Sequence, residues 1–320
     1  MDLLDRALLF ELMQNCRVPY STLAKKHSVS LNTVKNRIQS LVKNKIILRF
    51  VIQLNLQLFN TNIALLFFEF TQRIQKSLFN QIGAHKLVGS LGLGIGADGV
   101  AQVYYKTNDE LNEITEYFHN LEGLKKLEIF SLVPEANIEN YRPLGTLDDL
   151  QGVDWLILYH LRYNGRLQLN ELAQKIPLSA RTIQKRLNFM RKKKIIVETI
   201  QISPVFIKNG LMVLFKVELE KLTNGIFNEI EGKLRRTLPE NYWVTWQVVD
   251  RPILMIGFQA ANAQEIGKIH DKLLELLPMC KSIDQFLGES MEYFDDFRDE
   301  ILEENKEKWF KPELWERKDI

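Results

Sequence analysis

The feature that most constrains this 320-residue chain is that it repeats itself. Shifted by 149 residues, segment 5–47 aligns without a gap on segment 154–196, with 15 identities in 43 positions. The shared positions include Asp5/Asp154, Leu12/Leu161, Arg17/Arg166, Ser30/Ser179, Thr33/Thr182 and Arg37/Arg186. Chance similarity does not hold one register for so long. Two copies indicate a duplication, since a solenoid needs at least three stacked repeats to bury its core. Whatever this chain folds into is therefore built twice.

Each copy reads as three helices followed by a strand. Asp5 and Asp154 are expected to cap a first helix, Ser21 and Asn170 a short second one, and Ser30 and Ser179 a third. In the third helices Val34, Ile38 and Leu41, and Ile183, Leu187 and Met190, fall on one face at i, i+4, i+7. Ile46-Ile47 and Ile195-Ile196 then open a β-rich stretch. This order is that of a winged helix-turn-helix. The remainder of each half reads β-α-β-β-α-β: runs 63–70, 74–85, 87–95, 100–105, 109–120 and 127–133, then 211–219, 224–237, 242–249, 253–259, 263–277 and 282–287. The expected fold class is α+β, with two winged helix-turn-helix domains (1–52 and 152–204), each followed by a ferredoxin-like βαββαβ domain (53–140 and 205–290). A break is expected within 139–151, and an acidic helical tail over 291–320, docked by Phe294, Phe297, Ile301 and Leu302.

Composition excludes whole classes. Hydrophobic residues are 46% and charged residues 26%, which rules out a disordered or collagenous chain. Two cysteines, Cys16 and Cys280, cannot make a disulfide framework and suit a reducing, cytoplasmic setting. The N-terminus lacks a basic n-region and no apolar run is long enough to span a bilayer, so no membrane association is expected. The net charge is only +2, but it is unevenly placed. Residues 1–50 hold nine basic and three acidic side chains, residues 152–202 hold ten and three, and the rest of the chain nets −11. A basic surplus confined to two modules is the footprint of phosphate-backbone binding, although basic residues near a helix C-terminus also complement its dipole.

The Leu4-Asp5-Arg6 opening, the Asn15-x-Arg17 turn, Leu23-Ala24-Lys25-Lys26 and Ser30-x-x-Thr33-Val34-x-x-Arg37-Ile38 resemble the Lrp/AsnC family of feast/famine regulators. The resemblance implies a winged helix-turn-helix joined to a βαββαβ effector and assembly domain, here in tandem. In such a motif the third helix enters the major groove of double-stranded DNA. The faces opposite the apolar stripes carry Asn32, Lys35, Asn36 and Gln39, and Arg181, Gln184, Lys185 and Asn188. Asn and Gln pair with adenine, Arg and Lys with guanine, so these are the expected base-reading residues. Thr33, Arg37, Thr182 and Arg186 are expected to touch phosphate or brace the turn. For each of them a plain solvated polar face is the competing reading.

Other signals are weak. Gly94-Ile95-Gly96-Ala97-Asp98-Gly99 fits G-x-G-x-x-G, but a strand-like run follows where a dinucleotide site needs a helix, so a hairpin turn is expected. The resemblance offers a third reading, in which Gly96 and Asp98 help hold a small-molecule effector such as an amino acid. The second half has Asp250-Arg251-Pro252 there, and Arg251 is expected to pair with Asp250. The five histidines show no metal-ligand spacing, so neither metal nor cofactor is expected, and with no catalytic residues in view the chain is expected not to be an enzyme. Two rivals to a sequence-specific transcriptional regulator stay open: an architectural DNA-binding protein of low specificity, and a tetrapyrrole decarboxylase-like enzyme of the same architecture. Assembly is expected either as an intramolecular pseudo-dimer or as a homo-oligomer.

Overall fold

The computed structural model describes residues 2–133, 142–176, 178–203 and 210–309. The first repeat gives α1 (Leu3–Gln14), α2 (Tyr20–Lys26), α3 (Leu31–Lys43) and β1 (Ile47–Leu54). There follow β2 (Asn62–Phe70), α4 (Lys76–Gly83), β3 (Val88–Gly94), β4 (Asp98–Tyr105), α5 (Asn108–His119) and β5 (Leu124–Leu132). The second repeat gives α6 (Gly152–Leu161), α7 (Leu169–Lys175), α8 (Ala180–Lys192) and β6 (Ile196–Ile202). Then come β7 (Leu211–Leu219), α9 (Asn224–Thr237), β8 (Tyr242–Gln247), β9 (Ile253–Ala260), α10 (Ala263–Leu276), β10 (Cys280–Tyr293) and α11 (Asp296–Trp309). The fold is α+β, two winged helix-turn-helix modules each followed by a βαββαβ segment. Of the expected linker, residues 139–141 lie outside the described residues, as do 310–320 of the tail.

The chain forms two compact units, and each draws on both repeats. The α/β unit takes β2–β5 and β7–β10 with α4, α5, α9 and α10; the helical unit takes the helix-turn-helix modules, β1, β6 and α11.

In the α/β unit both segments have the ferredoxin-like strand order, and they join into one eight-stranded sheet, β5-β2-β4-β3-β10-β7-β9-β8. The junction is antiparallel pairing of β10 with β3, from Gly288↔Gly94 to Tyr293↔Ser90. The outer strands also touch, through the Leu132↔Val248 bridge and Val133 N–H donating to Gln247 O at 2.8 Å. Strand residues alternate between two cores. Val213, Phe215 and Val217 face a core closed by Phe227 and Ile230 of α9 and by Ile266 and Ile269 of α10. Leu214, Met255 and Phe286 instead join Leu65, Val100 and Phe130 of the first half. Burial on both faces explains why every residue of β9 is buried. β10 is longer than the expected 282–287 because its polar second half, which carries no apolar alternation, is held by backbone pairing to β3.

In the helical unit β1 and β6 pair antiparallel. The pairs Phe50↔Ile200 and Val51↔Thr199 interchange under the 149-residue offset, so the ladder lies across a local two-fold of the duplication. Phe297, Ile301 and Leu302 of α11 are buried, whereas Phe294 lies before the helix and packs on Phe79 and Gly83 in the α/β unit. Asp299 of α11 forms an ion pair with Arg162 at 3.1 Å and accepts from the Tyr163 hydroxyl.

Candidate nucleic-acid interface

The third helices begin as their sequences dictate. Ser30 Oγ accepts from Thr33 N–H at 2.9 Å, and Ser179 Oγ from Thr182 N–H at 3.1 Å. Thr33 and Thr182 turn their hydroxyls back on the same serines, 2.8 and 2.9 Å away. Both threonines therefore brace the turn.

Two expected caps are corrected. Asp5 and Asp154 are not N-caps: α1 starts from Asp2 and α6 from Gln151, with Asp5 and Asp154 three residues on as the reciprocal partners of a capping box. An aspartate suits either place, so sequence alone set the start three residues late. Ser21 and Asn170 make no cap either. Pro19 and Gln168, extended at φ −61° and −65°, already turn the chain into α2 and α7, which have no side-chain cap bond.

The capping aspartates are spent on arginines of the third helices. Arg186 donates Nε to Asp154 Oδ1 at 2.7 Å and a second N–H to the other oxygen, and the Asp154 side chain is fully buried. The hydrogen bond to Asp154 raises the Arg186 pKa above its usual value. In the first copy Arg37 meets Asp2 at 2.8 Å and Asp5 at 3.4 Å, half exposed. Arg37 and Arg186 thus tie the third helix to the first.

The polar faces differ between copies. On α3, Asn32, Lys35, Asn36 and Gln39 are all exposed and have no side-chain partner among the described residues. On α8, Arg181 and Lys185 are likewise exposed and unpartnered, but Gln184 Nε2 donates to Asn188 Oδ1 at 2.9 Å, and Arg191 Nη1 donates to the same oxygen at 2.8 Å. Arg191 in turn forks onto Glu198, whose side chain is buried. Arg191, the first of four consecutive cations at the end of α8, is thus turned inward onto a buried carboxylate.

The α/β unit holds a cleft of about 310 Å3 between its two halves. Phe67, Phe130, Leu214 and Phe286 line it, with Glu69, Asp98, Glu128 and Asp284 and the cations Lys126 and Lys216. Lys216 meets Asp284 at 2.9 Å, and the hydrogen bond from Lys126 holds the Glu128 carboxyl below its usual pKa. Asp98 opens β4, and its Oδ1 accepts from Gly96 N–H at 3.3 Å. Asp98 therefore lines the cleft, while Gly96, outside it, belongs to the β3–β4 hairpin. The G-x-G-x-x-G segment is that hairpin. Arg251 pairs with Asp250 at 3.4 Å. Among the described residues no group of His, Cys, Asp and Glu could hold a metal ion, and no helix is long and apolar enough to cross a membrane.

Residues 1–42 match the AsnC-type helix-turn-helix domain, and residues 150–197 match a winged helix-turn-helix DNA-binding domain. The chain is thus a tandem helix-turn-helix protein. Its character is Lrp/AsnC-like, and the two matched modules are its two repeats. No curated protein sequence matches it. Among solved structures, siroheme decarboxylase NirDL is similar over 96% of this chain and all of its own, with a TM-score of 0.56 at 11% identity. Its co-complex with an iron-uroporphyrin III analogue covers 94% of this chain and 99% of its own, with a TM-score of 0.54 at 11% identity. E. coli AsnC covers 42% of this chain and 92% of its own, at 20% identity and a TM-score of 0.33.

At 11% identity the NirDL likeness is one of fold. It nonetheless corrects the expectation that the chain is not an enzyme. Two structures that share nearly its whole architecture are those of an enzyme, so this architecture does not separate regulators from catalysts.

Proposed function

We propose that this chain is a sequence-specific, DNA-binding transcriptional regulator that engages double-stranded DNA with both third helices. The carrying observation is that each helix turns an exposed, unpartnered set of polar and cationic side chains away from its buried stripe: Lys35 and Asn36 on α3, Arg181 and Lys185 on α8. The concentration of basic charge on these modules supports the same reading. Asn32 and Gln39 extend the α3 face, and Thr33, Arg37, Thr182 and Arg186 serve by holding the helices in place. Titration of a duplex selected from a random pool tests this. The double variants Lys35→Ala/Asn36→Ala and Arg181→Ala/Lys185→Ala should each weaken binding, by roughly 1–3 kcal/mol for every base-reading side chain removed. If both bind like the parent, the helices are not the reading elements.

The cleft is the proposed seat of a small-molecule effector. Its apolar wall and the Asp98 carboxylate suit a ligand with an apolar body and an ammonium group, an amino acid among them. A thermal-shift screen of amino acids on the parent and on Asp98→Ala tests it: a stabilising ligand whose effect survives the substitution removes Asp98 from the site.

The whole-chain likeness to NirDL favours one second reading, tetrapyrrole chemistry. The cleft speaks for the effector instead: Lys125, Lys126 and Lys216 are already paired with Glu69, Glu128 and Asp284, and the lining has no histidine, so it offers no uncommitted cation to a carboxylate-bearing macrocycle. Titration of an iron porphyrin carrying carboxylates decides. A shifted, saturable Soret band would favour the tetrapyrrole reading.

A further inference from the structure

We propose that base-specific readout is concentrated in α3, while α8 anchors the protein to DNA through charge, because Glu198 locks the α8 reading face; this rests on the DNA-binding reading above. The lock is a chain of four side chains. Buried Glu198 of β6 receives both arms of Arg191, with Nη2 to Oε1 at 2.9 Å. Arg191 Nη1 reaches back one helical turn to Asn188 Oδ1 at 2.8 Å, and Gln184 Nε2 reaches the same oxygen from one turn earlier at 2.9 Å. A bidentate contact with adenine needs the amide oxygen of Asn or Gln as acceptor and its NH2 as donor. The Asn188 oxygen already accepts twice, so a bidentate reading by Asn188 would break these bonds at a cost comparable to the discrimination gained, while Gln184 is tethered to that same oxygen through one of its two N–H donors and its amide is held on Asn188.

The first repeat cannot build this lock. At the equivalent places it has Lys35, Gln39, Val42 and Arg49. Val42 offers no hydrogen bond, and Arg49 lies over the Tyr163 ring, 5.2 Å from its centroid. Asn32, Asn36 and Gln39 thus keep their amides open on α3. On α8 the open groups are Arg181 and Lys185, cations that serve phosphate as readily as a base. The duplication has produced one module that discriminates and one that holds on. Glu198 is a positioning residue, acting on DNA only through Arg191 and Asn188.

The test is selection of duplexes bound by the full chain from a random pool. The parent should return a lopsided site. A single base change in one half should weaken binding about 10-fold, against about 3-fold or less in the other. Asn36→Ala should relax the strict half. Glu198→Gln, which keeps the shape and removes the charge that grips Arg191, should create a new base preference in the loose half. Asn188→Ala, an exposed change that leaves the fold alone, should return the parental site. Equal, palindromic half-sites from the parent would overturn the proposal, as would DNA bound with no preferred sequence or a preference that disappears in Asn188→Ala. A chain that binds no DNA at all would instead sink the DNA-binding reading itself.

Discussion

Arg17 and Arg166, one repeat apart, each donate a hydrogen bond to the other copy's backbone: Arg17 Nη1 to Leu167 O at 3.2 Å, and Arg166 Nη2 to Val18 O at 2.8 Å. Val18 and Leu167 are themselves repeat partners, so one contact is made twice across the local two-fold. Arg17 adds Gly165 O at 2.6 Å, and Arg166 stacks over the Tyr20 ring, 4.2 Å from its centroid. Desolvation pulls both guanidinium pKa values down, but an arginine so shifted still carries its charge. Arg17→Met and Arg166→Met should each cost about 1.5–3 kcal/mol in urea unfolding, the range for a hydrogen bond to a charged group. A parental midpoint in both would mean that the copies are held by β1–β6 pairing and the backbone contacts around it, without help from these arginines.

The two capping-box aspartates should differ in worth. Asp154 is fully buried against Arg186, and its removal strands a charge, so Asp154→Ala should cost roughly 3–5 kcal/mol. Asp5 is 13% exposed, but its partner Arg37 is 41% exposed and keeps Asp2 as a second carboxylate, so Asp5→Ala strands no charge and should cost about 1–2 kcal/mol. Equal losses in denaturant titrations would refute the burial argument.

Cys16 lies in the helical unit with its thiol donating to Val51 O at 3.5 Å. Burial foremost, with the nearby Glu198 charge, pushes its pKa up to about 12. A thiol-specific reagent at pH 8 should therefore modify the partly exposed Cys280 and reach Cys16 only on unfolding. The pH dependence has a definite sign. The folded state keeps a proton that the unfolded chain loses near pH 8.5, so this contribution is intact below about pH 8.5 and is lost as pH climbs toward 12. Cys16→Ala should flatten that alkaline decline, measured as the difference between variant and parent melting curves. Stoichiometric labelling of both thiols in the native protein would contradict this placement.

Lys45 and Lys194, again repeat partners, end the third helices in the left-handed region at φ 57° and 53°. Glycine relieves such a residue of its Cβ clash, though it costs chain entropy in the unfolded state. Lys45→Gly should raise stability by about 1 kcal/mol or less, read from the urea midpoint. A destabilised variant would show that the Lys45 side chain matters more than its backbone.

The sequence by itself determined the duplication, the three helices of each module, the Ser30 and Ser179 caps, and the α/β element order. These rest on local periodicity and on hydrogen bonds within a few residues. It could not fix the start of α1 or α6, because aspartate fits both ends of a capping box. Nor could it reveal the second half of β10, whose place comes from backbone pairing with a strand some two hundred residues away. The reading face was legible as a set of residue types, but not as two unequal faces. Asn36, Gln184 and Asn188 are all plausible readers on a helical wheel. Only the tertiary structure sets Glu198 under Arg191, because that pairing depends on β6 returning beside α8. A buried charge acts on whatever folds against it, and the linear pattern carries no record of which side chain that is.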